Sequence, residues 1–130
     1  MINNFEDLET WKECRKLRIL VSKTTKSFPP EEKYRLVDQL IRASRSITAN
    51  IAEGHGRFHY QENIQFCRQA RGSLTETLDH FICAFDEQYI ILEELNNFRV
   101  QYDQCLKLLN GYIAYLKKMK QNEIPKPITS

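Results

Sequence analysis

The sequence predicts an all-α protein, an antiparallel up-down-up-down four-helix bundle, and three observations carry that expectation. Apolar residues recur at spacings of three, four and seven through four successive segments. No stretch shows the alternation of period two that a half-buried strand requires. The four prolines fall at only two places, Pro29-Pro30 and Pro125 with Pro127, so long uninterrupted helices are permitted.

The first helix is expected from about residue 5 to 27, on Phe5, Leu8, Leu17, Val21, Thr24 and Phe28, and Phe28-Pro29-Pro30 stops it. Pro30 suits the first turn of a second helix, where its missing N–H costs nothing, and Glu31 and Glu32 complement the positive end of the macrodipole. Tyr34, Val37, Ile41, Ser44, Ile47 or Thr48, and Ile51 mark one face of this helix until Gly54 and Gly56 end it. A third helix begins near Tyr60 and carries Ile64, Cys67, Leu74, Leu78, Phe81 and Phe85 to about Tyr89, with Arg71 on its seam. After a break near residues 88–91, Leu92, Leu95, Phe98, Tyr102, Cys105, Leu109, Ile113 and Leu116 give nearly four heptads. Residues 1–121 form the bundle in this reading, and 122–130 form a polar tail. Short connections make successive helices antiparallel neighbours.

Composition narrows the function. A chain of 130 residues is one domain by default and buries a core without staples. The first residues have no basic n-region or apolar run, and no segment approaches the roughly 20 apolar residues of a membrane span, so a cytoplasmic protein with no membrane association is expected. Cys14, Cys67, Cys83 and Cys105 lack any C-x-x-C spacing and are expected as buried or half-buried reduced thiols. His55 and His59 are four apart, but Gly54 and Gly56 flank His55 and no third ligand lies nearby, so no metal or other cofactor is expected. Ser44, Ser46 and Ser73 have no His and Asp partners at recognisable spacing, and an enzyme is not expected.

The net charge of +2 is small, but its distribution is uneven. One pole should gather the end of helix 2, the start of helix 3 and the end of helix 4, with Arg42, Arg45, Arg57, Arg68, Arg71, Lys117, Lys118 and Lys120 toward it. Between Ser73 and Phe98 there is no lysine or arginine, while Glu76, Asp79, Asp86, Glu87, Glu93 and Glu94 are acidic. Helix dipoles account for part of this pattern, but helix 3 runs against the rule, with arginines in its first half and carboxylates in its last turn. A nucleic-acid surface, assembly electrostatics and a merely solvated face all remain open. Trp11, Ile19, Leu36, Phe66, Ile82, Ile90 and Tyr115 lie off the main stripes, and Trp11, Leu36 and Phe66 are the candidates for an oligomer interface.

The segment from Arg42 to Gly54 is rich in small and polar residues, which favours close helix approach. Gly72-Ser73 should sit level with residues 42–44, in tight contact that offsets the cost of a glycine inside a helix. Asn50, Glu53 and Glu76 could bond to backbone or to the arginines there, or Asn50 and Glu53 could help end helix 2.

These residues also carry a resemblance. Phe5-x-x-Leu8-x-x-Trp11, Phe28-Pro29-Pro30-Glu31-Glu32-x-Tyr34-x-Leu36, Gln39-x-x-Arg42-Ala43-x-x-Ser46, Asn50-Ile51-Ala52-Glu53-Gly54 and Ala70-x-Gly72-Ser73-Leu74-x-Glu76 together span nearly the whole chain. The chain resembles the bacterial four-helix-bundle family encoded by intervening sequences of large-subunit ribosomal RNA genes. The resemblance implies a non-enzymatic protein that assembles with itself into a ring-like homo-pentamer. Accessory proteins of diversity-generating retroelements are similar in fold, and they imply binding of RNA, and of a protein partner, through basic surfaces. Onto this chain that carries Arg42, Arg45, Arg57, Arg68 and Arg71. The leading expectation is therefore a homo-oligomer that binds RNA or DNA through its basic pole, and the alternative is a protein–protein scaffold without nucleic acid.

Overall fold

A computed structural model describes residues 3–123. A short 3-10 turn at Phe5–Asp7 precedes α1 (Glu9–Thr25), and a second at Pro30–Glu32 precedes α2 (Leu36–His55), α3 (Tyr60–Asp86) and α4 (Leu92–Glu123). Helix α1 packs on α2 and α4, and α3 packs on the same two, while the diagonal pairs make no close approach. This is the expected bundle, with each helix beside its neighbours in sequence. Residues 124–130, most of the expected tail, lie outside the described residues.

The stripe read on α4 is the core stripe: Leu95, Phe98, Tyr102, Cys105, Leu109, Ile113 and Leu116 are buried, although Leu92 at its start is exposed. Phe98 stacks on Phe81 of α3 with centroids 4.0 Å apart and planes within 10°. Cys14, Cys67 and Cys105 are buried, as expected. Burial pushes the Cys67 thiol up to about 12, while Cys14 is raised by its contact with Cys105 and then by burial. Cys83 instead lies on the surface, where desolvation and the carboxylates of Glu87, Asp86, Asp79 and Glu32 raise it.

The starts of the first two helices differ from expectation. Asn4 caps the Phe5–Asp7 turn by accepting from the Glu6 N–H at 2.8 Å, and the Asp7 carboxylate accepts from the N–H groups of Asn3 and Asn4. Extended backbone at Leu8 then restarts the helix at Glu9, which lets Leu8 drop into the core and brings Phe5 edge-on against Trp11 at 5.1 Å. Pro30, Glu31 and Glu32 form a separate turn, not the first turn of α2, because Arg35 breaks the helical path. The Glu32 carboxylate still serves α2, accepting from the Leu36 N–H at 3.2 Å.

The buried stripe of α2 is Leu36, Leu40, Ala43, Ser44, Ile47, Thr48, Ile51 and Gly54, and Tyr34 is 83 % exposed. The stripe expected from Tyr34, Val37 and Ile41 was thus rotated by about one residue. Leu36 is consequently a core residue of the protomer and is withdrawn from the interface candidates, and Ile90 is buried likewise.

The glycines also exchange roles. Gly54 lies inside α2 and does not stop it; Gly56 is the cap residue. A Cβ built on Gly54 would meet Asn63 Oδ1 at 2.6 Å and Phe66 Cβ at 2.9 Å, so α2 and α3 touch there backbone to side chain. Gly72 faces open space and makes no tight contact.

Two alanine substitutions separate these roles. Gly54→Ala should destabilise the fold by about 1–3 kcal/mol through overpacking, despite alanine's better helix propensity. Gly72→Ala should stabilise it by about 0.5–1 kcal/mol. Urea unfolding of both variants measures the difference, and a Gly54→Ala protein as stable as the parent would disprove the close approach.

Candidate nucleic-acid interface

Residues 61, 64, 68 and 71 recur on one side of α3 at helical spacing, and residues 110, 113, 117 and 120 do so on α4. Packing the two helices side by side creates a groove of about 380 Å³ lined by Gln61, Ile64, Arg68, Lys117, Lys120 and Gln121. Buried Ile64 forms its floor. The Lys120 ammonium donates to the Gln61 side-chain oxygen, which ties the end of α4 to the start of α3. Nearly three turns along, the Arg71 guanidinium donates to Asn110 Oδ1 at 2.9 Å. Among the described residues, none of Arg68, Arg71, Lys117 and Lys120 has a carboxylate within 4.0 Å.

The other cations lie apart from this groove. Arg42 Nε sits 3.4 Å from Asp38 Oδ2 beside a polar cleft between α2 and α3 that also holds Gln39, Ser46, Ser73, Glu76 and His80. Arg45 is exposed on the outward side of α2, and Lys118 is exposed outside the groove. Arg57 is committed within the protomer: its guanidinium lies 2.8 Å from Glu53, 3.7 Å from Glu62 and 5.0 Å above the Phe66 ring. The basic pole expected from the sequence is therefore a basic groove. The end of the bundle itself is mixed in sign, since Glu53, Glu62 and Glu123 share it with the first residues of α1.

The small and polar segment of α2 stitches it to α3. Asn50 Nδ2 donates to the Ser46 carbonyl and hydroxyl, both at 2.9 Å, and Ser73 Oγ donates to Ser46 Oγ at 2.9 Å. Ser73 thus sits level with Ser46, one turn beyond the expected 42–44. Glu53 pairs with Arg57, and Glu76 faces His80 at 3.8 Å, not an arginine. The residue that sequence reasoning missed is Asn63. It is 7 % exposed on the core face of α3; its Nδ2 donates to the Tyr112 hydroxyl at 3.1 Å, and its Oδ1 accepts from Cys67 at 3.5 Å. A polar residue beside Ile64 on an apolar stripe was the available signal.

Trp11 and Phe66 remain interface candidates. Trp11 is half-buried, with the Arg15 guanidinium 5.8 Å from its ring, and borders a shallow recess shared with Ile19. Phe66 is half-buried beneath Arg57. Among the described residues no group of three or more histidine, cysteine or acidic side chains is placed to hold a metal ion, and no helix is long and apolar enough to cross a membrane.

Residues 6–111 match the family model described as 23S rRNA-intervening sequence protein. No curated protein matches the chain.

The groove cations should be dispensable for folding. Arg68→Gln combined with Lys117→Gln should change the unfolding free energy by no more than about 0.5 kcal/mol, the usual range for surface sites without partners. Arg57→Ala should cost about 1 kcal/mol through its lost ring and carboxylate contacts. Thermal and urea unfolding distinguish the two, and a double variant that loses more than Arg57→Ala would show that the groove cations hold the bundle together.

Proposed function

Since the chain belongs to the family of 23S rRNA-intervening sequence proteins, we propose that it is a non-catalytic, homo-oligomeric bundle that holds RNA by its phosphate backbone in the α3–α4 groove. The observation that carries the reading is the set of three groove cations, Arg68, Lys117 and Lys120, with Arg71 beside them, all without carboxylate partners among the described residues. Cations on two adjacent antiparallel helices flanking a groove suit the regular charge of a polynucleotide, and displacing its counterions supplies the affinity. Arg68 and Arg71 lie in the third and fourth turns of α3, beyond the reach of its dipole, so helix stability neither requires nor opposes arginine there. The contacts would be to phosphate, with sequence preference arising elsewhere.

Self-association belongs to the same proposal. The apolar recess beside Trp11 and the Phe66 ring offer surfaces for a second copy, and the resemblance of the chain implies a pentamer. A cytoplasmic location fits such an RNA-binding role. The competing reading, a scaffold for other proteins, keeps the oligomer and removes the nucleic acid.

Binding of a mixed single-stranded RNA pool at two salt concentrations tests the proposal. With roughly four phosphates contacted per protomer, affinity should fall about 50-fold between 50 and 200 mM salt. Arg68→Glu with Arg71→Glu should abolish most binding, while Arg42→Glu should leave the greater part. Salt-independent binding, or a double variant that binds as well as the parent, would overturn the groove assignment. An oligomer by light scattering that takes up no RNA would favour the scaffold.

A further inference from the structure

At the end of the bundle where α2 passes into α3, a second recess of about 390 Å³ opens beside the basic groove. Its wall is aromatic, with Phe58, Tyr60, Tyr112 and Tyr115 around it and His55 and His59 between them. Phe58 is 92 % exposed, and its ring stands edge-on to His59 with centroids 5.0 Å apart. Tyr115 is 50 % exposed, and the Tyr112 ring leans toward it at 6.3 Å. A single exposed ring is ordinary on a protein surface. Four around one recess, two of them widely open, leave flat apolar faces that the fold does not use.

The polar groups of the recess restrict what can fill it. The Tyr112 hydroxyl accepts from Asn63 Nδ2, so its own hydrogen has no acceptor among the described residues. Burial raises the Tyr112 phenol above its ordinary range, which keeps that hydrogen in place at neutral pH. Glu123 borders the same recess and adds a carboxylate acceptor. A lipid chain or apolar peptide side chain would leave the Tyr112 hydrogen unanswered. A nucleobase answers both groups, because it joins flat π faces to an edge that bears donors and acceptors together.

Recess and groove are also contiguous. Tyr60, Asn63 and Leu116 line the recess, while their sequence neighbours Gln61, Ile64 and Lys117 line the groove. Both therefore lie along the same stretches of α3 and α4. We propose that this recess takes a single unstacked nucleobase from a strand whose phosphates occupy the α3–α4 groove. The proposal rests on the reading of that groove as a nucleic-acid surface.

The test uses the full chain and two single-stranded RNA probes of equal length, one with 2-aminopurine in a uridine run and one with abasic sites throughout. The base-bearing strand should bind the parent about tenfold more tightly than the abasic one, and 2-aminopurine emission should be quenched on binding. Phe58→Ala with Tyr115→Ala should remove that tenfold advantage and the quenching, yet leave abasic-strand affinity and its salt dependence unchanged. Circular dichroism checks that helix content is retained. Equal affinity of the two strands for the parent, without an emission change, would overturn the base site while the groove reading stands. Failure of the parent to bind either strand would overturn both.

Discussion

The arrangement depends on one contact, the approach of α2 to α3 at Gly54. Only a residue without a side chain lets Asn63 Oδ1 and Phe66 Cβ come within 3 Å of where a Cβ would stand. That approach fixes how α3 sits on α2, and Asn63 extends it across the core to the Tyr112 hydroxyl of α4. Three helices are joined at one level, near the end of the bundle where the proposed ligand surfaces lie. The hydroxyls of Ser46 and Ser73 repeat the α2–α3 connection two turns further along. Aromatic stacking of Phe81 on Phe98 holds α3 to α4 toward the far end.

Once α3 is seated in this way, Arg68 and Arg71 follow from their spacing to Ile64 and lie beside α4. They meet the lysines of the last turns of α4, where the helix dipole favours positive charge. The groove therefore combines lysines near the C-terminal end of α4 with arginines in the interior of α3. Neutral partners, Gln61 and Asn110, hold two of these side chains in position without cancelling their charge. That differs from Arg42, paired with Asp38 on its own helix, and from Arg57, whose carboxylate partners lie on the two helices it connects. Side chains oriented by neutral groups keep their field available to a ligand.

Much of the fold was legible because apolar periodicity reports a buried face directly. The α4 heptads placed seven core residues correctly, and the start of α3 fell where the chain turns. The phase of α2 was less legible, because its core face includes Ser44 and Thr48. Their hydroxyls satisfy themselves by donating to the carbonyls of Ile41 and Arg45, so polar residues can occupy core positions. Gly54 and Gly72 could not be told apart by sequence, since a helical glycine can mark an end, a close contact or nothing. The candidate site was legible only in part. Charge spacing gives the height of a residue along the bundle, but its bearing around the axis requires the packing. For that reason eight cations assigned to one pole separated into a groove set, two carboxylate-paired arginines, and two residues facing solvent elsewhere. Leu36 passed from surface to core by the same rotation that moved the α2 stripe.

Photo-crosslinking of the full chain to bound single-stranded RNA, followed by peptide mapping, tests the central claim most directly, because it reports position and not affinity. Crosslinked peptides should come from the first half of α3 and the last turns of α4, the two walls of the basic groove. Crosslinks confined to the Arg42 and Arg45 side of α2, or to the acidic end near Asp86 and Glu93, would contradict the account.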